Sequence, residues 1–95
     1  MRLIDSNLTH NTLTQALHYD PVTGAFMRYL KGGRLKQAGS VQGADNHIAI
    51  LVSRQNYTAH TLAWFYVHKE KRDDVYHLNG NKQDNRLTNL ACYKK

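Results

Sequence analysis

From Thr61 to Val67 the chain reads TLAWFYV, a run with no polar stripe on any side. A surface helix needs one polar face, and this segment has none to offer, so it reads as a helix buried against a sheet. The expected helix spans His60 to about Lys69, with Trp64 and Phe65 anchoring the core. A chain of 95 residues supports one domain and one modest core, burying about two-thirds of the surface its unfolded form exposes. The remaining segments must therefore wrap this helix, and they read mostly as short strands.

Leu8, Leu13, Ala16 and Leu17 fall near a 3.6-residue spacing, and Thr12 with Gln15 has the form of a capping box. A short helix from about Asn11 to His18 follows, stopping before Asp20-Pro21. Asp20-Pro21-Val22-Thr23-Gly24 is a turn, with Pro fixing φ and Gly able to reverse the chain, and Ala25 to Leu30 continues as a strand. In Lys31-Gly32-Gly33-Arg34 the two glycines either turn the chain or admit a close neighbour, turning being the simpler use. His47 to Val52 is a β-branched run, and Arg54-Gln55-Asn56 is the turn of a hairpin into Tyr57-Thr58-Ala59. Beyond the charged connection Lys69 to Asp74, Val75 to Leu78 reads as a strand, Asn79-Gly80 as a tight turn, and Ala91 to Lys95 as a returning strand.

Thirteen Lys and Arg against seven Asp and Glu give a formal charge of +6, which favours polyanionic partners. The single Cys92 cannot form an internal disulfide and no CxxC pair is present, which suits a reducing compartment and makes Cys92 a small half-buried hydrophobe. The N-terminal residues lack the basic end and apolar run of a signal peptide, and no segment approaches the roughly 20 apolar residues that span a bilayer. The expectation is a soluble cytoplasmic protein with no membrane partner.

One stretch is ordered as chemistry rather than as folding. Val75 to Leu90 reads VYHLNGNKQDNRLTNL: a lone His ending a strand, an Asn-Gly turn, then Asp84-Asn85-Arg86 and Asn89-Leu90. Three further phrases precede it, Tyr19-Asp20-Pro21-Val22-Thr23-Gly24-Ala25-Phe26, then Ala38-Gly39-Ser40, then Tyr57-Thr58-Ala59-His60-Thr61-Leu62-Ala63-Trp64. In this order, and covering nearly the whole chain, these phrases resemble the HNH or ββα-metal motif of small phage and intron-homing endonucleases.

The resemblance implies a DNA partner, a bacteriophage origin and a site that hydrolyses phosphodiesters. Such hydrolysis needs a base to activate water, a divalent cation and donors that hold the phosphate in line. By the resemblance, His77 is the base and Asn89 helps orient it, while Asn79, Gly80, Asp84, Asn85 and Arg86 shape the loop. Each also has a plain structural use: Asn79-Gly80 as a hairpin turn, Asp84 as a helix cap, Arg86 as a surface charge. His60, at the head of the apolar helix, reads as a hydrogen-bonded structural His. His10, His18, His47 and His68 show no ligand spacing and are assigned nothing.

Two departures weaken the enzyme reading. Tyr76 stands where the family carries a metal-binding Asp, Asn or His, and a neutral phenol is a poor ligand for Mg²⁺. Asp74, two residues back, is the one candidate replacement as a metal ligand. The helix that closes the family's unit and supplies its second ligand is expected to be missing, since the sequence stops at Lys95.

The expected fold is α+β over a single domain, residues 1–95. It comprises a short N-terminal helix and central antiparallel β-hairpins over 1–59, then a buried helix and a C-terminal ββ(α)-metal hairpin lacking its final helix over 60–95. Phosphate contacts fall to Arg28, Lys31, Arg34, Lys36 and Arg54, with Lys82, Arg86, Lys94 and Lys95 around the motif. The leading functional expectation is a nucleic-acid-binding protein with weak or lost nuclease activity. One alternative is an active nicking enzyme using Mg²⁺ or a similar ion, completed by Asp74 or by a dimer partner. Another is an inhibitor that reuses the scaffold against a host enzyme or nucleoprotein.

Overall fold

The computed structural model describes residues 8–42, 47–52, 54–72 and 74–93. It is a small α+β fold of two helices and three small antiparallel sheets. Helix α1 covers His10–Ala16 and begins one residue earlier than its apolar spacing suggests. Its cap is Thr9, whose hydroxyl accepts from the amide of Thr12 at 3.1 Å and donates to the Thr12 hydroxyl at 2.8 Å. Thr12 is thus the recipient of the cap rather than the cap itself, and the Thr12/Gln15 capping box does not form.

The helix ends at Ala16 because Leu17 and Tyr19, either side of exposed His18 in the chain, both turn to the core from one face of strand β1, Leu17–Tyr19. Strand β2, Phe26–Tyr29, returns antiparallel with Tyr19 opposite Phe26, and β3, Leu35–Gln37, extends this sheet beyond it. A second sheet is formed by β4, Ser40–Gln42, β5, His47–Val52, and β6, Gln55–Thr58, in that order. Val52 pairs with Gln55, so the β5–β6 turn is tighter than the sequence suggests: Arg54 takes φ 68° and Asn56 is already in the strand.

Helix α2, Ala59–His68, is the apolar segment of the sequence, and it packs on β5, β6, β7 (Val75–His77) and α1. Ala59, Leu62, Ala63 and Phe65 are buried in one cluster with Leu13, Leu17, Tyr19, Phe26, Ile50, Val52 and Tyr57. Trp64 differs from expectation. It is half-buried at the margin, its ring 4.2 Å from that of His68 and its Nε1 donating to Glu70 at 3.4 Å, because the inner face is already filled by Leu62 and Phe65. Lys69 closes the helix in the left-handed region, φ 56°, donating its amide to Phe65. Among the described residues no helix is long and apolar enough to cross a membrane.

The third sheet is the hairpin of β7 and β8, Leu90–Cys92, with His77 opposite Leu90. The return strand therefore starts one residue earlier than expected and stops at Cys92; the expected continuation through Lys94 and Lys95 lies outside the described residues. Cys92 is half-buried, and that burial raises its thiol above the usual range, so it behaves as a small hydrophobe and not as a ready thiolate.

Candidate functional site

His77 is the last residue of β7, where the chain leaves the sheet for the long loop to β8. A turn forms at once, the amide of Gly80 donating to the His77 carbonyl at 3.2 Å with Gly80 at φ 75°. This is the tight turn expected at Asn79-Gly80, shifted back so that Leu78 and Asn79 are its central residues. The rest of the loop is knit by asparagines. Asn81 donates its amide to Asn79 Oδ1 at 2.8 Å, and Gln83 donates its own to Asn81 Oδ1 at 3.0 Å. Short polar side chains can close such local turns where the backbone has no ladder partner.

Asn89 is bonded to both ends of the loop that follows His77. Its buried amide accepts from the Asn79 backbone at 3.0 Å and donates to the Asp84 carbonyl at 2.8 Å and to Asn79 Oδ1 at 3.0 Å. It ties the two ends of the loop together. The residue that holds His77 is Asn85, whose Oδ1 lies 2.8 Å from His77 Nε2. A carbonyl oxygen can only accept, so Nε2 is the donor of this contact, and when the ring is neutral Nδ1 is its acceptor nitrogen.

Asn85 is itself 2% exposed and is fixed from behind by the Tyr19–Phe26 phrase. The Tyr19 hydroxyl donates to the Asn85 carbonyl at 2.5 Å, and the Leu87 amide donates to the Pro21 carbonyl at 3.0 Å. Gly24, at φ 79°, lies so close that a Cβ there would fall 2.5 Å from the Asn85 carbonyl carbon and nearer still to the Arg86 amide. The two segments that looked like separate phrases in the sequence are thus one packed unit. Burial, reinforced by the nearby Asp20 and Asp84 charges, pushes the Tyr19 phenol well above its usual range.

In front of His77 opens a cleft of about 410 Å³ lined by His47, Thr58, His60, Val75, Tyr76, His77, Gly80, Lys82 and Tyr93. His60, in the first turn of α2, meets His77 edge to face, the ring centroids 4.8 Å apart. Tyr76 and Tyr93 stack at one wall, centroids 4.2 Å apart and planes 23° apart. No carboxylate is among the described residues lining this cleft.

No family model, curated protein or solved structure matches the chain.

Asp74 and Asp84 are committed elsewhere. Asp74 gives both oxygens to the fork of Arg72, at 2.9 Å each, and its side chain is only 10% exposed. Asp84 is gripped by Arg86 at 2.7 and 2.8 Å and by Asn79 at 2.9 Å, which holds its carboxyl at about 2, the Arg86 hydrogen bonds being the main cause. It caps no helix, and Arg86 is neutralised within its own loop. Among the described residues no three His, Cys, Asp or Glu side chains lie where they could share a metal ion. A hard divalent cation prefers carboxylate and other oxygen ligands, whereas the described lining offers imidazoles, an ammonium, two phenols and the Thr58 hydroxyl.

Of the nine bases named from the sequence, only Lys82 lines the cleft among the described residues. Arg28 and Lys36 are cross-strand neighbours on β2 and β3, and Arg28 also donates to the Leu51 carbonyl at 2.8 Å, bridging the two larger sheets. Lys31 and Arg34 flank the turn between those strands, where Gly32 and Gly33 serve the turn alone, since nothing lies within 4 Å of a Cβ placed on either. Arg54 sits in the β5–β6 turn, and Lys94 and Lys95 lie outside the described residues. Sequence reasoning missed His47 and gave His60 no part in a site. The usable signal is position near an element's end: His47 opens β5, His60 is the second residue of α2, and His77 ends β7.

Proposed function

We propose that this chain binds nucleic acid at the His77 cleft and along the basic β2–β3 surface, with metal-dependent phosphodiester cleavage weak or absent. The observation that carries the reading is the cleft's lining: three imidazoles and one ammonium, with no carboxylate among the described residues. Such a lining suits a phosphate, which takes N–H donors and positive charge, and repels nothing anionic. The formal charge of +6 and the cross-strand pair Arg28 and Lys36 supply a backbone-tracking surface without base-reading specificity.

Weak cutting follows from the same lining. Water must be activated and the leaving oxygen stabilised, and a hard cation is the usual means for both in DNA hydrolysis. Asp74 and Asp84 are held by arginines, so among the described residues no carboxylate is left in the cleft to seat such a cation.

The test is fluorescence anisotropy with labelled duplex and single-stranded oligonucleotides across a salt series, beside a supercoiled-plasmid assay with Mg²⁺ or Mn²⁺. Salt-sensitive binding without nicking is the expected result. Absence of binding at low salt would overturn the reading, and robust metal-dependent nicking lost in His77→Ala would overturn its second half.

A further inference from the structure

We propose that the His77 cleft cleaves single-stranded RNA without a metal ion, by transfer of the phosphoryl group to the neighbouring 2′-hydroxyl. The proposal rests on the reading of the cleft as a nucleic-acid site and names its substrate. RNA differs from DNA in carrying its own nucleophile, the 2′-hydroxyl, on the ribose carbon next to the one that bears the phosphate. An internal nucleophile needs no positioned water, and correct placement alone substitutes for a very high external concentration. What it still needs is a base, an acid and a positive charge at the phosphate, and these are the groups that the cleft gathers.

His77 is the base. Its Nε2–H is engaged by Asn85 Oδ1 at 2.8 Å, which fixes the tautomer with the lone pair on Nδ1. His60, its ring in contact with that of His77 at 4.8 Å, is the acid in its imidazolium form. The Lys82 ammonium lines the same cleft and stabilises charge on the non-bridging oxygens. In the step, the 2′-oxygen forms a bond to phosphorus and passes its proton to His77. The bond from phosphorus to the 5′-oxygen breaks, and that oxygen takes the proton of His60. The products are a 2′,3′-cyclic phosphate and a free 5′-hydroxyl, with no oxidant, metal or further reactant consumed.

The strand must be unpaired. Tyr93 is 75% exposed and stacks on Tyr76 at the cleft wall, so a nucleobase can extend that stack beside the scissile phosphate, which a base held in a duplex cannot do.

The test uses a labelled DNA oligonucleotide carrying a single ribonucleotide, incubated with the whole protein in excess EDTA. One cut is expected, on the 3′ side of the ribonucleotide, leaving a cyclic phosphate by mass spectrometry, while the all-DNA strand stays intact. The rate should be bell-shaped in pH, fall by about 100-fold or more in His77→Ala and in His60→Gln, and be unchanged in His18→Gln, whose side chain is exposed outside the cleft. Binding of the oligonucleotide without cleavage would overturn this inference and leave the binding reading standing; no binding would remove both. Cleavage that persists in His77→Ala and His60→Gln preparations would mark a co-purifying ribonuclease and equally overturn it. Should His77→Ala fail to fold, His60→Gln and the wild-type pH profile decide.

Discussion

His77 Nε2 and Asn85 Oδ1 meet at 2.8 Å, joining the end of strand β7 to the middle of the loop that leaves it. Asn85 is buried, so its oxygen has no water to exchange for the imidazole, and the ring is held in one tautomer. In Asn85→Ala the Nε2–H preference should weaken. Long-range ¹H–¹⁵N spectra of the imidazole would show it as a shift toward mixed tautomers, with a stability loss of about 1–3 kcal/mol from the unpaired groups. An unchanged tautomer pattern would mean that Asn85 is not what orients His77.

Tyr19 holds the other side of Asn85 through its hydroxyl. Removing that hydroxyl in Tyr19→Phe leaves a buried carbonyl without its donor and should cost about 1–3 kcal/mol in urea unfolding. The pH dependence has a definite sign. The folded phenol is raised above its unfolded value of about 10, so its contribution is whole below that pH and is lost as the solution is made more alkaline. Alkaline destabilisation above pH 10 should therefore be smaller in Tyr19→Phe than in the wild type.

Helix α2 was legible because its apolar density leaves a surface helix no polar face, and β5–β6 because β-branched residues and a turn follow one another. Strand β3 was not legible: Leu35, Lys36 and Gln37 are all exposed, so there is no alternation to read, and pairing with β2 alone makes it a strand. Strand β1 was hidden inside the helical spacing of Leu13 and Leu17, since a Leu fits either period. The motif showed where His77 would stand, but His47 and His60 reach the same cleft from a strand and a helix that local spacing cannot relate. The partner of each carboxylate was equally out of sight, although Arg72 and Arg86 each sit two residues from the Asp they hold.

Asp84 and Arg86 predict an acid effect. The Asp84 carboxyl falls to about 2 in the folded state, below its unfolded value of about 3.9, so its stabilising share is complete above the latter and is lost as pH drops toward the former. Asp84→Asn should flatten the acid side of the stability profile between those values. It also releases the Arg86 fork, so affinity for a labelled oligonucleotide at low salt should rise rather than fall.

Arg28 and Lys36 face one another across β2 and β3 and supply charge without base contacts. If both meet phosphates, each neutral substitution should lower the slope of log K against log salt by about 1, with the loss similar for unrelated sequences. Arg28→Gln also gives up the bond to the Leu51 carbonyl, so Lys36→Gln is the cleaner variant. A slope unchanged in Lys36→Gln would take the β2–β3 surface out of the binding site.

Gly24 and Gly32 separate backbone strain from close packing. Both have positive φ, 79° and 76°, and an Ala in the left-handed region costs about 1–2 kcal/mol at either. At Gly32 nothing lies within 4 Å of the added Cβ, so that cost should be the whole effect. At Gly24 the Cβ strikes the backbone of Asn85 and Arg86, which cannot give way without moving the loop that holds His77. Gly24→Ala should therefore lose clearly more stability than Gly32→Ala in urea unfolding, and it alone should disturb the His77 ring signals. Equal losses with unchanged His77 signals would show that the Tyr19–Phe26 segment does not brace the cleft.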